Sequence, residues 1–165
     1  MLGFLIFSLI IIGTNVFASS NISEIENQIV KNIELNESSA ISLLERVVNI
    51  NSGTMNLDGV RKVGSVFEEE FKSLGFKVKW IDGKPFNRAG HLLAEFGTQG
   101  PKLLLIGHLD TVFSKDSPLQ RYTPVTNNHV MGPGITDMKG GDVVMLYALR
   151  ALKESGVLDT ISIRV

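Results

Sequence analysis

Two stretches, KLLLIGHLDTVF at residues 102–113 and MGPGITDMKGGD at residues 131–142, decide how this chain is read. Leu103 to Ile106 is apolar throughout and too short for a globular helix, which suits a central strand covered on both faces. Side chains alternate along a strand, so His108 and Asp110 project to one side and Leu109 to the other. An imidazole and a carboxylate then sit together at the carboxyl end of a strand, where open α/β sheets bind ligands. The second stretch sets Asp137 in a glycine-rich turn ahead of a long apolar helix. Gly132, Gly134, Gly140 and Gly141 let that turn bend sharply and approach whatever Asp137 holds.

One histidine and two aspartates on tight supports point to metal chemistry. Neutral imidazole and carboxylate oxygen are good Zn²⁺ ligands, and a two-oxygen carboxylate can bridge ions roughly 3.5–4 Å apart. An Asp two residues after a His has a second possible role, orienting the ring and raising its basicity. The competing reading is a buried His with a partner carboxylate beside a glycine loop that caps a helix.

HLDTV followed by GPGITDMKGG resembles the dizinc metallopeptidases that include glutamate carboxypeptidases, aminoacylases, peptidases T and V and desuccinylases, with HLDTVF nearest the carboxypeptidase G type. The resemblance runs from about Asn36 to Val165. It implies a layered α/β/α fold with a mostly parallel or mixed central sheet, of the phosphorylase/hydrolase-like kind. It implies that His108 ligates one zinc, that Asp137 bridges two zinc ions, often before a cis peptide bond (here to Met138), and that Asp110 is the catalytic carboxylate supporting them. It also implies a small peptide or N-acyl amino acid substrate and, in intact relatives, a homodimer. In such relatives paired glutamates, a further acidic ligand and a late histidine follow the point where Val165 falls. The chain is therefore expected to be the truncated front part of a catalytic domain, inactive alone. A non-catalytic truncated product and an exported binding module are the alternatives.

Composition narrows the field. With 165 residues and a net charge of −1, the chain has no electrostatic footprint for nucleic acid. Hydrophobic residues make up 44%, too many for disorder. The absence of cysteine excludes thiol catalysis, cysteinyl zinc sites and disulfides. Leu2 to Ile12 is almost purely apolar, and Val16-Phe17-Ala18 precedes Ser19. This reads as a signal peptide over residues 1–18, with residues 19–165 secreted or periplasmic and without a stable membrane partner. An uncleaved membrane anchor is the alternative.

The remaining periodicities fill in the domain. Ile22, Ile25, Ile29 and Ile33 form a narrow helical stripe that suits a helix lying on the domain. A separate helix is expected from Ser38 to Ile50, capped by Ser38 or Asn36. Asn56 to Leu74 predicts another, closed by Gly75. Glu68, Glu69 and Glu70 diverge around that helix and read as a solvated face. Phe76 to Trp80 and His91 to Phe96 predict strands, with Trp80 in the core and His91 away from the motifs. A hairpin is expected around Asn127-Asn128, with His129 exposed beside it. Met138 to Ser155 reads as a helix with Asp142 in its first turn, where the helix dipole favours an acid. Thr160 to Val165 begins another strand.

Overall fold

The computed structural model describes residues 22–165, and the segment read as a signal peptide lies outside them. The first helix, α1 (Glu24–Val48), is continuous. This corrects the division into two helices. Ser23, not Ser38 or Asn36, is the cap: its side chain accepts from Glu26 N while Glu26 reaches back to Ser23 N. Nothing between Glu24 and Val48 breaks a helix, so the two apolar stripes join in one cylinder. Most of the early stripe faces away from the domain: Ile22, Ile25 and Ile33 are 55%, 43% and 46% exposed, while Ile29 is half-buried. On that half Asn32 is buried and donates to Ser155 Oγ at 2.9 Å.

Helix α2 (Leu57–Ser73) begins at the Asn56 cap and ends at Leu74, with Gly75 at a φ of 86°. That conformation is open to glycine and strained for other residues. The chain then forms β1 (Lys77–Asp82), β2 (Gly90–Phe96) and β3 (Lys102–Leu104). The expected hairpin follows as β4 (Thr123–Thr126) and β5 (His129–Met131). Helix α3 (Gly140–Glu154) and β6 (Ser162–Arg164) complete the described chain. Within α2 the glutamates diverge: Glu68 pairs with Lys72, Glu69 with Arg46 of α1, and Glu70 with Arg150 of α3.

The main sheet is mixed, in the order β1-β2-β6-β3. β2 is antiparallel to β1 and β6, while β3 and β6 are parallel. One apolar core joins α1 (Leu43, Val47), α2 (Phe67, Phe71), α3 (Leu146, Leu149) and the sheet (Ala94, Ile163). Trp80 sits at the margin of this core. Its ring lies under the Arg61 guanidinium at 4.1 Å, and its Nε1 donates to Ala89 O at 3.1 Å. Among the described residues β3 is the outer strand of the sheet, and Leu103, Leu104 and Ile106 are 49%, 63% and 78% exposed. The apolar run marks a strand suited to cover on both flanks, and the described residues pair it on one flank only.

Candidate metal centre

His108 and Asp110 leave β3 at the carboxyl end of the parallel pair. Their position is fixed by a segment far away in sequence. Thr111 N donates to Ser52 O at 2.8 Å, and Thr54 N donates to Thr111 O at 3.0 Å. Gly53 makes this approach possible, since a Cβ there would stand 2.5 Å from Phe113 O. Thr54 Oγ1 donates to Asp110 Oδ2 at 2.6 Å, which fixes the carboxylate. His108 Nδ1 lies 3.0 Å from the main-chain oxygen of Asp110. A carbonyl can only accept, so Nδ1 carries a proton. The Asp137 carboxylate also only accepts, so its contact with Nε2 is a hydrogen bond in the doubly protonated ring, and the neutral ring presents the Nε2 lone pair.

The glycine loop arrives from the other side. Gly134 has a φ of 76°, and a Cβ on it would meet Thr111 Cγ2 at 2.4 Å. The loop therefore rests directly on the residue after Asp110. It continues as a wide irregular turn, Ile135–Lys139, with non-helical backbone at Asp137 and Met138. The peptide bond between those two is cis. This path brings Asp137 Oδ1 to 2.9 Å from His108 Nε2. The outer atoms are open: the His108 and Asp137 side chains are 42% and 78% exposed.

Beneath them lies a layer that the sequence reading passed over. Lys139 is fully buried, and its Nζ donates to Val47 O and Ile50 O, both at 2.8 Å. These carbonyls close the carboxyl end of α1, where a cation is favoured. Asp142 is 4% exposed, and its Oδ2 has no hydrogen-bond partner among the described residues. Its Oδ1 sits against Gly107, where a Cβ would stand 2.1 Å away. Burial pushes the Asp142 carboxyl up to about 7, against the charges of His108 and Lys139. Burial pushes the Lys139 ammonium down to about 8, opposed by Asp142. For His108, partial burial lowers the pKa, but the bonds to Asp137 and to the Asp110 carbonyl outweigh it, and the net direction is upward.

The three residues singled out in the sequence thus come together at one strand end. His91 opens β2 outside that group, and His129 is engaged at the hairpin with Thr126. Thr54, Gly107, Lys139 and Asp142 were missed. The one sequence signal for the last two is a lysine and an aspartate among glycines and apolar residues, where an ion needs a partner. The donor chemistry of His108 Nε2 and Asp137 Oδ1 fits a divalent metal. Two donors make one side of such a site. Among the described residues no group of three or more His, Asp or Glu side chains converges as a metal cage.

Known proteins resemble this chain. Residues 104–165 match the peptidase family M20/M25/M40. Carboxypeptidase G2 of a Pseudomonas species is 38% identical over 120 residues, covering 72% of this chain and 29% of the relative. A probable succinyl-diaminopimelate desuccinylase of Staphylococcus epidermidis is 35% identical over 79 residues, covering 46% of this chain and 20% of the relative. The chain thus spans under a third of the length of these curated relatives. The solved structure of the di-peptidase Dug1p from Saccharomyces cerevisiae superposes with a TM-score of 0.70 at 18% identity, over 84% of this chain and 33% of that one. That likeness establishes the fold. The chain is related to the M20/M25/M40 peptidases, and the matched segment is the one that holds His108, Asp110 and Asp137.

Proposed function

We propose that this chain supplies the front of a zinc-dependent active site that hydrolyses peptide or amide bonds, of the glutamate carboxypeptidase kind. The observation that carries this reading is the convergence of His108 Nε2 and Asp137 Oδ1 at 2.9 Å within the family-matched segment. His108 would hold one ion, and Asp137, with two oxygens, would span two. When bound, zinc supplies a Lewis acid that polarises the amide carbonyl and makes water a stronger acid. The chain's own residues orient this chemistry. The Asp110 carbonyl holds the His108 proton on Nδ1, and Thr54 pins the Asp110 carboxylate beside it. The names of the relatives, a carboxypeptidase and a desuccinylase, agree with a small peptide or an N-acyl amino acid as substrate.

Zinc in a catalytic site takes about three protein ligands and a water. With two convergent donors, the chain by itself binds metal weakly and does not turn over substrate. The test is a zinc titration of the full chain against a chromophoric chelator, with His108→Ala and Asp137→Ala beside it. Weak binding lost in both variants is the expected result. Binding that survives both places the metal elsewhere and sinks the reading. Acyl-glutamate hydrolysis with added zinc, abolished in both variants, would show that the chain is sufficient on its own.

Export belongs to the same proposal. Leu2 to Ile12 and the Val16-Phe17-Ala18 pattern support cleavage after Ala18. N-terminal sequencing of protein from its native host should begin at Ser19. An intact Met1 on membrane-bound material would mean an anchor.

A further inference from the structure

The segment that follows Asp110 has no regular structure, yet it is tied down at many points. Gln120 closes it: its Nε2 lies 2.9, 3.3 and 2.7 Å from the carbonyl oxygens of Ser114, Lys115 and Ser117. Its Oε1 accepts from Asn51 Nδ2 at 2.9 Å, and the same Asn51 amide reaches Phe113 O at 3.2 Å and Ser114 O at 3.1 Å. Asn51 belongs to the connection between α1 and α2. Asn56 Nδ2 fixes it there, donating to Asn51 O at 2.8 Å and lying 3.0 Å from Asn51 Oδ1. Gly59 leaves room for this turn, since a Cβ there would stand 1.9 Å from Asn51 O. Side-chain amides thus supply the partners that an irregular backbone does not find in a sheet or helix.

Between these two locked segments lies a cavity of 370 Å³. Residues 53–56 form one wall, and Thr111, Val112, Ser114 and Lys115 form the other. Main-chain bonds join the walls directly, from Thr111 N to Ser52 O and from Thr54 N to Thr111 O. Neither wall is a strand of the main sheet, so the cavity is not the path of a continuing strand, and bonds within the described residues set its shape. It opens beside the candidate metal centre, because Thr111 follows Asp110 and Thr54 Oγ1 bonds Asp110 Oδ2. Its size suits a small-molecule site, roughly 300–1,000 Å³. Loops held on a rigid scaffold at this end of a sheet are where binding residues concentrate.

The lining selects the kind of ligand. Thr54 and Asn56 spend their side chains on Asp110 and Asn51. Ser114 and Lys115 enter the clamp through their main-chain carbonyls, which leaves the hydroxyl and the ammonium to meet a ligand. Lys115 is exposed and is the one charged residue among the described residues that line the cavity. A hydroxyl and an ammonium can both donate, and a carboxylate is the matching acceptor, bound by hydrogen bonds that ionic charge strengthens.

We propose that this cavity is a carboxylate subsite, in which Lys115 Nζ and Ser114 Oγ hold an acid group of the substrate while its amide lies toward Asp110 and His108. The subsite takes its role from the hydrolase reading above, but its affinity for a carboxylate does not require zinc. The Asn51–Gln120 clamp makes it preformed, so little ordering is needed when the ligand arrives.

The test uses the isotopically labelled full chain without metal, titrated with N-acetylglutamate and separately with the uncharged diamide of the same molecule. Amide NMR follows Asn56, Ser114 and Lys115. The acid should shift these signals saturably at millimolar concentration, and the diamide should need about tenfold more or fail to shift them. Lys115→Gln should weaken the response to the acid about tenfold, and Lys115→Arg should keep it. Equal responses to acid and diamide, an unchanged response in Lys115→Gln, or no shift at tens of millimolar acid would each overturn the proposal. His108→Ala separates this result from the hydrolase reading: it should abolish zinc binding and leave the acid titration unchanged. Loss of the acid response in that variant would place the carboxylate at His108 and overturn the subsite. A zinc titration that fails beside a normal acid titration would remove the hydrolase reading and leave the carboxylate site standing.

Discussion

The layer under the candidate metal centre and the atoms that face outward from it are built in opposite ways. Lys139 and Asp142 are 0% and 4% exposed, while the His108 and Asp137 side chains are largely open. The lower layer is held by contacts across long stretches of chain. Lys139 reaches the end of α1, Gly134 rests on Thr111, and Asp142 packs on Gly107. The outward atoms hold chiefly each other. The placement of the site is thus a consequence of folding, whereas its chemistry depends on what reaches it from outside. Substitutions below should change stability, and substitutions above should change metal binding.

The largest effect should follow loss of the Lys139 ammonium. Lys139→Ala takes a charged donor away from two carbonyls at the end of α1 and removes one of the two cationic groups, with His108, that act on Asp142. Removing one member of such a buried polar arrangement costs about 3 kcal/mol or more. Urea unfolding at pH 7 measures it, and a loss below about 1 kcal/mol would break the contrast between the two layers.

Asp142 gives the next effect, with the opposite sign. Its folded pKa of about 7 lies above the usual aspartate value, 3.8. Its stabilising contribution is complete below the unfolded value and is lost as pH rises toward 7, where the folded state must bear or shed a buried charge. Asp142→Asn does not titrate. The variant should therefore gain on the parent between about pH 4 and pH 7, by about 2–4 kcal/mol at the plateau. Parallel unfolding curves at pH 4, 5.5 and 7.5 test this. A constant difference would show that Asp142 ionises as an exposed aspartate does.

The sequence revealed the upper layer far better than the lower one, and the reason is physical. His108, Asp110 and Asp137 lie in short motifs whose spacing fixes their direction, by alternation along a strand in one case and by glycines in the other. Thr54 reaches Asp110 across 56 positions and Lys139 reaches Val47 across 92, and no local period encodes such pairs. The same limit explains the division of the first helix. The helix from Glu24 to Val48 was divided at Asn36 to Ser38 because those residues favour caps, yet inside a continuous cylinder Asn36 simply bonds Asn32 O and Ser42 bonds Ser38 O. The run from Leu103 to Ile106 does mark a strand, while the strands that flank it are a tertiary property that no local period encodes.

A smaller loss is expected at the junction of the layers. Gly107 precedes His108 and touches Asp142, so Gly107→Ala pushes a methyl group into Asp142 Oδ1. Overpacking of this kind costs about 1–3 kcal/mol, and the displaced strand end should carry His108 with it. The variant should lose both thermal stability and zinc affinity. A loss of stability with zinc affinity unchanged would separate the two layers more sharply than the contacts suggest.

The smallest effect on stability belongs to His108 itself. His108→Ala removes an open ring whose partners are the Asp137 carboxylate and the Asp110 main chain, and the bond to Asp137 is exposed to water. Exposed pairs contribute about 0–1 kcal/mol, and the deleted ring leaves no buried group unpaired that water cannot reach. The midpoint of urea unfolding should therefore move by no more than about 0.5 kcal/mol in equivalent stability. Zinc binding should fall below detection, because one of two convergent donors is gone. Measured together, the two readouts separate a ligand from a structural histidine. A structural histidine would lower stability by more than about 1 kcal/mol and leave metal binding where it was, and that outcome would place His108 in the supporting layer.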